Sequence, residues 1–414
     1  MKIVRTIATV SLVAALFLTL GTALMAEPKG TDWPQFRGAH RDGISPETGL
    51  KLDWSGGTPK EVWRHEIGEG YSAISVVGDR FYTMFATDHD GKPTEVAAAF
   101  EVATGKELWR TPVGPKKDTE FGNGPRATPT VDGDTLYVLG SEGNFAALAT
   151  KDGILRWEIK LQDAFGSQAP YWGYSTSALV DGDQVVIQTG GKEGKSYVGL
   201  DRKTGELKWS LGDAPAGYNS AMIVEMKGKK RYVYISGAKL TAIGETGSEV
   251  WSHDLPKGET HSMPLFIPPD RFFASGAEGV GAHMFRIDEN GKESKVEELW
   301  QTRLMRNHYS SSVVHDGTIY GFDNATLKAI SIEDGKLAWA KRGLGKGSLM
   351  LADGHLLVLS DGGKLLAVEA TPDEYIEKGS VQALEGKCWT APVLSNGRLY
   401  LRNHTEMVAF DLSK

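Results

Sequence analysis

The feature that most constrains the fold is a short sequence unit that recurs along most of the chain. In its clearest copy, residues 99–109, small and aromatic residues lead into Thr104-Gly105 and the unit ends in Trp109. A unit that returns every few dozen residues predicts a repeat fold. Further copies end, at intervals of 39 to 52 residues, in Trp157, Trp209, Trp251, Trp300 and Trp339.

Each unit carries the signals of two β-hairpins. The turn before each Trp contains a glycine, which adopts the positive φ of a tight turn at low steric cost. A second turn lies upstream, as in Asp132-Gly133 and Asp181-Gly182, and seven of the eight upstream turns contain Gly. Two hairpins make a four-stranded antiparallel sheet, and such sheets arranged radially form a β-propeller. The glycines before the Trp positions are Gly105, Gly153, Gly205, Gly247 and Gly335.

The two ends of the chain are expected to complete one blade together. The segment around Trp63 resembles a fourth strand without its preceding hairpins, whereas the last hairpins lack a fourth strand. Joining them predicts an all-β, eight-bladed propeller closed by pairing of the N- and C-terminal strands, with seven blades as the alternative. The expected blades are 71–113, 125–161, 174–213, 218–255, 261–303, 308–343, 346–383, and 388–412 closed by 61–67.

The N-terminus has the pattern of a secretory signal peptide over residues 1–26. Lys2 and Arg5 precede an apolar run, and small residues precede Ala26. No cysteine follows this run, which excludes acylation at a bacterial lipoprotein site. We therefore expect an exported protein, periplasmic or extracellular, with no membrane span after cleavage.

Residues 27–60 precede the propeller, which we place at residues 61–414. This segment is rich in Gly, Pro and isolated aromatic residues, which predicts an extended lead-in. It can act as a strap on the outside of the ring, which we favour, or as a lid across one mouth of the channel.

Charge and cysteine content narrow the range of partners. Without Lys2 and Arg5 the chain has 44 basic and 53 acidic residues, a net charge of −9. This balance argues against nucleic acid and against an anionic membrane surface. The only cysteine, Cys388, cannot form an internal disulfide, so the core must stabilise a chain that we expect to be monomeric.

The repeat resembles that of the pyrroloquinoline-quinone-like (PQQ-like) propellers, whose blades carry a motif of the form Ala-x-Asp-x-x-Thr-Gly-x-x-x-Trp. The resemblance covers about residues 61–412. The family includes the quinoprotein alcohol dehydrogenases and a non-enzymatic lipoprotein of the outer-membrane barrel-assembly machinery. The motif residues pack blades together in both branches, so the resemblance specifies the fold and not the function.

The dehydrogenase branch implies PQQ beneath a disulfide of adjacent cysteines and a calcium ion held by Glu and Asn. One cysteine cannot make that disulfide, and no Cys-x-x-Cys-His haem motif is present. Asp132-Gly133-Asp134 and Asp181-Gly182-Asp183 lie at predicted turns and lack the acidic series of a calcium loop. We therefore predict no metal site and no cofactor. Motifs of serine hydrolases, zinc proteases and P-loop proteins are also absent.

A candidate binding site follows from the propeller geometry. The residues just before the first strand of each blade should surround one mouth of the central channel, where they either fill the channel or bind a ligand. The tryptophans of the repeat, together with Trp63, are expected to be structural and to pack between neighbouring blades. The candidate ligand-binding residues are Tyr71, Arg126, Tyr174, Tyr218, His261, His308, Tyr309, Lys346 and Trp389.

The sequence thus favours an exported, non-catalytic propeller that binds a small or polymeric ligand, or a partner protein, at a channel mouth. The first alternative is a PQQ-dependent alcohol or sugar dehydrogenase, with PQQ and calcium as cofactors. The second is a scaffold in outer-membrane protein assembly.

Overall fold

The computed structural model of the protein describes residues 32–290 and 294–414. These residues form eight sheets of four antiparallel strands each, and one sheet gains a fifth strand in parallel. The protein is therefore an eight-bladed β-propeller, which confirms the predicted fold class, and the seven-bladed alternative is wrong. The predicted signal peptide, residues 1–26, lies outside the described residues. Within the described ranges, no helix has the length and apolar character needed to cross a bilayer.

The strands follow the chain in order, and the first strand of each blade lies innermost. Two strands precede the first blade, β1 (Ile44–Ser45) and β2 (Lys60–Glu66). Blades 1 to 4 contain, in order, Ser75–Val77, Arg80–His89, Lys92–Glu101 and Glu107–Pro115 (β3–β6); Thr130–Asp132, Thr135–Leu139, Asn144–Ala149 and Leu155–Lys160 (β7–β10); Leu179–Asp181, Gln184–Gln188, Tyr197–Asp201 and Leu207–Leu211 (β11–β14); and Met222–Met226, Lys229–Ser236, Lys239–Ile243 and Glu249–Asp254 (β15–β18).

Blades 5 to 8 continue the pattern, and a short helix, α1 (Leu161–Phe165), lies between blades 2 and 3. Their strands are Leu265–Ile267, Arg271–Gly276, Gly281–Asp288 and Lys295–Thr302 (β19–β22); Val313–His315, Thr318–Asp323, Thr326–Ser331 and Leu337–Lys341 (β23–β26); Gly347–Ala352, His355–Ser360, Lys364–Glu369 and Glu377–Gln382 (β27–β30); and Val393–Ser395, Arg398–Arg402 and Glu406–Asp411 (β31–β33). Blade 8 is completed by β2, in which Trp63 lies opposite Ala409 of β33.

The repeated tryptophans join neighbouring blades. Trp109 lies in the outer strand of blade 1, and its indole N–H donates to the carbonyl of Thr150 in blade 2 (3.1 Å). A methyl group on Gly153 would lie 2.5 Å from the same indole, so only glycine fits this turn, which also has φ +73°. Equivalent indole bonds join Trp63 to Val102, Trp157 to Arg202, Trp300 to Ile332 and Trp339 to Thr371. Trp251 donates to the side chain of Glu289 in blade 5, whereas Trp209 donates to the side chain of Gln184 in its own blade. Gly105, Gly205, Gly247 and Gly335 adjoin Trp63, Trp157, Trp209 and Trp300 in the same way.

Blade 7 lacks its own tryptophan. Gly379 pairs with Ala367 at the register position where Trp109 pairs with Ala99 in blade 1. The missing ring is supplied by Trp54 of the lead-in segment, whose backbone lies so close to Gly379 that a methyl group there would be 2.5 Å from the Trp54 Cβ. Trp54 is 5% exposed and belongs to the core shared by blades 7, 8 and 1.

The lead-in segment first crosses the interior of the ring. The carbonyl of Pro34 accepts the N–H of Val131 in blade 2 (2.8 Å), and the Arg37 guanidinium donates to the carbonyl of Ser312 in blade 6 (2.6 Å). Blades 2 and 6 lie on opposite sides of an eight-bladed ring, so a segment this short can reach both only from the channel. β1 then pairs in parallel with β27, the innermost strand of blade 7. The expectation of an external strap must therefore be corrected for residues 33–45, which fill the channel.

The remaining lead-in residues do form a strap. The buried carboxylate of Glu47 accepts the N–H groups of Asn396 and Gly397 in the first turn of blade 8 (2.8 and 2.6 Å). The N–H of Trp54 then donates to the carbonyl of Lys378 in the outer strand of blade 7 (2.9 Å). The segment thus leaves the channel at the face that carries the first-hairpin turns, which we call the turn face. The opposite end of the ring is the mouth face.

Candidate functional site

Two long inter-blade loops shape the mouth face. Residues 116–129 connect blades 1 and 2, and residues 166–178 connect α1 to blade 3. Most connections in compact domains are about 4–6 residues long, and longer ones are often functional. These loops place Phe121 and Trp172 over the candidate residues, since Phe121 contacts Trp172 at 5.8 Å and Trp389 at 6.1 Å between ring centroids.

The aromatic side chains at the mouth form a closed circuit of ring contacts, which we call the aromatic mouth. Trp389 stacks with Tyr309 (5.2 Å) and with Tyr71 (5.6 Å). Because Phe121 also contacts Trp389, the circuit returns to its starting point. The successive contacts run from Trp389 through Tyr309, His308, His261, Tyr218, Trp172 and Phe121 back to Trp389, with centroid distances between 4.9 and 6.1 Å.

Three cations border the aromatic mouth. Arg126 lies over the ring of Tyr71 (5.8 Å), and the Lys387 ammonium lies over Trp389 (4.5 Å). Lys346 is half-buried, and its charge lowers the pKa of the neighbouring His308. The structure therefore brings eight of the nine predicted residues together around one opening.

Tyr174 is the exception and requires a correction. Its ring is fully buried, and its hydroxyl donates to the Ser167 hydroxyl or to the carbonyl of Thr189 (2.9 and 3.1 Å). This side chain packs between blades 2 and 3 and presents no surface to the mouth. Arg126 is also engaged, because its guanidinium donates to the carbonyls of Gly124 and Gly122 (both 2.9 Å) and so holds the 116–129 loop in place.

The two histidines of the aromatic mouth are neutral at pH 7. Burial and, to a lesser extent, the proximity of His308 lower the pKa of His261 to about 4. Burial and the charge of Lys346 also lower the pKa of His308, although its Nε2 lies 3.6 Å from a carboxylate oxygen of Glu259. At neutral pH the histidines therefore act as aromatic surfaces, and the positive charge comes from Arg126, Lys346 and Lys387.

Glu95 is a buried carboxyl between blade 1 and the mouth loops. One oxygen accepts the N–H of Ser141 (2.8 Å), while the other has no hydrogen-bond partner among the described residues. Burial raises the pKa of Glu95 to about 6, although the bond from Ser141 and the charge of Arg126 act in the opposite direction. Folding therefore favours the protonated carboxyl.

We expect Glu95→Gln to stabilise the protein above pH 7. Because the folded-state pKa of Glu95 is raised from 4.5 to about 6, this carboxyl's contribution is fully present below pH 4.5. It is lost as the pH rises through 6, at a cost of about 2 kcal/mol. Glutamine keeps an acceptor for Ser141 without the charge. Thermal unfolding between pH 4 and 8 should show a flatter profile for Glu95→Gln, whereas the exposed control Glu66→Gln should follow the wild type.

The residues of the channel do not fit PQQ and calcium, the cofactors implied by the dehydrogenase alternative. On the turn-face side, Trp33, Phe36 and Arg37 pack against Ala73 and Met350 and leave about 10 Å³, room for one water molecule. On the mouth side the aromatic rings are already in mutual contact. Among residues 32–290 and 294–414, no three His, Cys, Asp or Glu side chains are grouped to hold a metal.

Comparison with known proteins agrees with this architecture. A family model described as outer membrane protein assembly factor BamB matches residues 93–341. BamB of Yersinia pestis is 22% identical over 357 residues, which are 83% of this chain and 75% of that protein. The crystal structure of BamB from Moraxella catarrhalis superposes with a TM-score of 0.61 at 15% identity, covering 86% of this chain and 98% of that one. A quinohemoprotein alcohol dehydrogenase from Pseudomonas putida superposes with a TM-score of 0.66 at 13% identity, covering 92% and 80%.

The fold and the site define the class as an eight-bladed propeller of PQQ-like repeats with an aromatic mouth and a filled channel. Within that class, the chain belongs to the family of the outer membrane protein assembly factor BamB, since the family model matches more than half of it. The structural likeness to the dehydrogenase, at 13% identity, is a likeness of fold alone.

Several residues of the site were missed by reasoning from sequence. Phe121, Trp172 and Lys387 do not directly precede a first strand, so the position rule passed over them. The length of the two aromatic-containing loops, 116–129 and 166–178, is the signal that could have found Phe121 and Trp172, whereas Lys387 lies outside both loops.

Proposed function

We propose that this protein is an exported, non-catalytic propeller that binds a partner protein through its mouth face, as a component of outer-membrane protein assembly. Membership of the BamB family supports the assembly context and a periplasmic location. It also gives the scaffold alternative more weight than the dehydrogenase alternative.

The observation that carries the proposal is the shape of the aromatic mouth. Catalytic and cofactor sites are concave and bury most of their ligand. Here the rings contact one another around the opening, and two exposed side chains adjoin them, Phe121 (43% exposed) and Tyr171 (72% exposed). Tyr171 contacts Trp172 edge to face (5.7 Å), so both exposed rings, Phe121 and Tyr171, contact Trp172. Exposed aromatic residues on a rigid base are typical of protein interfaces, where Tyr, Trp and Phe are enriched.

The aromatic mouth is well supported from below. Trp172 donates its indole N–H to Glu120 (3.2 Å) and its backbone N–H to the Tyr218 hydroxyl (3.3 Å). The Tyr71 hydroxyl and the Lys387 ammonium both donate to the carbonyl of Phe121 (2.9 and 2.8 Å). A surface that is held in place before binding loses little side-chain entropy on association.

The test is the double variant Phe121→Ser/Tyr171→Ser. Removing both rings should weaken binding to the purified outer-membrane barrel component of the assembly machinery of the same organism by about 2 kcal/mol or more, as expected for interface anchors. The matched control is Leu108→Ser/Ile154→Ser, because these side chains are similarly exposed (45% and 64%) but lie toward the turn face. Equal affinity of the mouth variant and the wild type would remove the mouth face as the interface.

A further inference from the structure

We infer that the partner segment which docks on the aromatic mouth is an acidic polypeptide segment carrying at least one aromatic side chain. This inference rests on the proposed function and specifies the chemistry of the partner. It follows from the sign of the uncompensated charge at the mouth and from the rings that surround it.

The three cations at the mouth have no acidic partner within 4 Å among the described residues. Arg126 donates to the neutral acceptors Gly122, Gly124 and Thr119. Lys387 donates to a backbone carbonyl and lies over Trp389. By contrast, neighbouring lysines are neutralised: the ammonium groups of Lys116 and Lys117 lie 2.8 and 2.7 Å from Glu69 and Glu142.

Two of the three charges lie beside Trp389, and the third lies farther round the circuit of rings. Lys387 lies directly over Trp389, Arg126 is one ring away through Tyr71, and Lys346 acts on His308, which adjoins Tyr309 and hence Trp389. The neutral His261 and His308 add no charge at pH 7. Two carboxylates also border the circuit, but beside other rings: Glu120 lies 3.2 Å from the Trp172 indole nitrogen and Glu259 lies 3.6 Å from His308. Concentrated positive charge on a protein whose overall charge is negative selects an acidic segment and disfavours basic ones by like-charge repulsion.

The rings select an aromatic side chain in the same segment. Trp389 has Tyr309 and Tyr71 stacked beside it, and Phe121 lies at its edge. A further ring can add to this circuit in an offset or edge-to-face arrangement, each such contact being worth about 0.5–1.5 kcal/mol beyond its buried area. An aromatic residue flanked by Asp or Glu satisfies the rings and the ammonium groups together.

The test uses three synthetic peptides of equal length, measured by calorimetry on the full chain. The first combines Asp and Glu with one Trp, the second replaces that Trp with Ser, and the third replaces the acids with Lys. We expect only the first to bind well, with about tenfold or greater weakening for either change. Affinity should also fall as salt is raised.

The variants Lys346→Gln and Lys387→Gln together should weaken the first peptide about tenfold, while Lys151→Gln and Lys203→Gln together, on exposed turns of the turn face, should change nothing. Equal binding of the acidic and basic peptides, or of a neutral polysaccharide in their place, would overturn the inference. Wild-type affinity of the Lys346→Gln/Lys387→Gln variant for the first peptide would also overturn it. If no peptide binds but the barrel component still requires Phe121 and Tyr171, this inference fails and the proposed function stands.

Discussion

Replacing Trp54 with alanine should lower the free energy of unfolding by about 3–5 kcal/mol, as for other buried large-to-small substitutions. Trp54 is 5% exposed and packs on Gly379, the residue that stands where the other blades have their tryptophan. Its indole N–H donates to the carbonyl of Lys51 (2.9 Å), and the N–H of Lys51 in turn donates to the carbonyl of Leu412 in blade 8 (2.7 Å). The residue therefore links blades 7 and 8 in the way that Trp109 links blades 1 and 2.

The loss of unfolding free energy in Trp54→Ala shows whether Trp54 holds the two blades together or only covers their surface. Urea unfolding of Trp54→Ala should be compared with Trp172→Ala, a half-buried ring of the mouth, for which we expect a smaller loss. Trp54→Phe should recover part of the stability, because a smaller ring still fills part of the gap. A loss below about 1 kcal/mol for Trp54→Ala would show that blades 7 and 8 hold together without the lead-in segment.

The propeller itself could be predicted because its determinants are local and repeated. The turn glycines and the tryptophans, such as Trp109, recur together in each repeat. Trp63 has no hairpins before it, and the C-terminal hairpins have no fourth strand after them. This incomplete pattern at both ends indicated the ring closure that the structure has. The path of the lead-in segment could not be predicted, because its partners are carbonyl groups. Arg41 bonds to the backbone of Ser177 and Ala221, and backbone acceptors leave no mark in the sequence.

The position of the candidate site could be predicted, but the orientation of each of its side chains could not. The first strands converge on the channel axis in any propeller, which is why Tyr71, Tyr309 and Trp389 meet although they are far apart in the chain. Tyr174 shares their position in the repeat but turns into the core, where its hydroxyl donates a hydrogen bond to the Ser167 hydroxyl of the same loop. The orientation of one side chain depends on such local partners and cannot be read from its register.

Replacing Arg41 with methionine should have the second large effect on stability, a loss of about 2–6 kcal/mol. The Arg41 side chain is 1% exposed inside the channel, and its guanidinium donates to the carbonyls of Ser177 (3.1 Å), Ala221 (2.9 Å) and Ala178. Burial lowers its pKa to about 9, so the group remains protonated at neutral pH. Methionine preserves most of the volume but leaves the buried carbonyls of Ser177 and Ala221 without this donor, each at a cost of about 1–3 kcal/mol, while the carbonyl of Ala178 keeps the Thr130 hydroxyl as a donor (2.7 Å).

The matched control for Arg41 is Arg303→Met, an exposed arginine beyond the outer strand of blade 5, which should change the unfolding free energy by less than about 0.5 kcal/mol. Thermal and urea unfolding of both variants provide the measurement. Because Arg41 reaches blades 3 and 4 while Arg37 reaches blade 6, the loss should affect the cooperative unfolding of the whole ring and not one blade. Wild-type stability of Arg41→Met would mean that water satisfies these carbonyls and that residues 33–45 occupy the channel without tying its blades together.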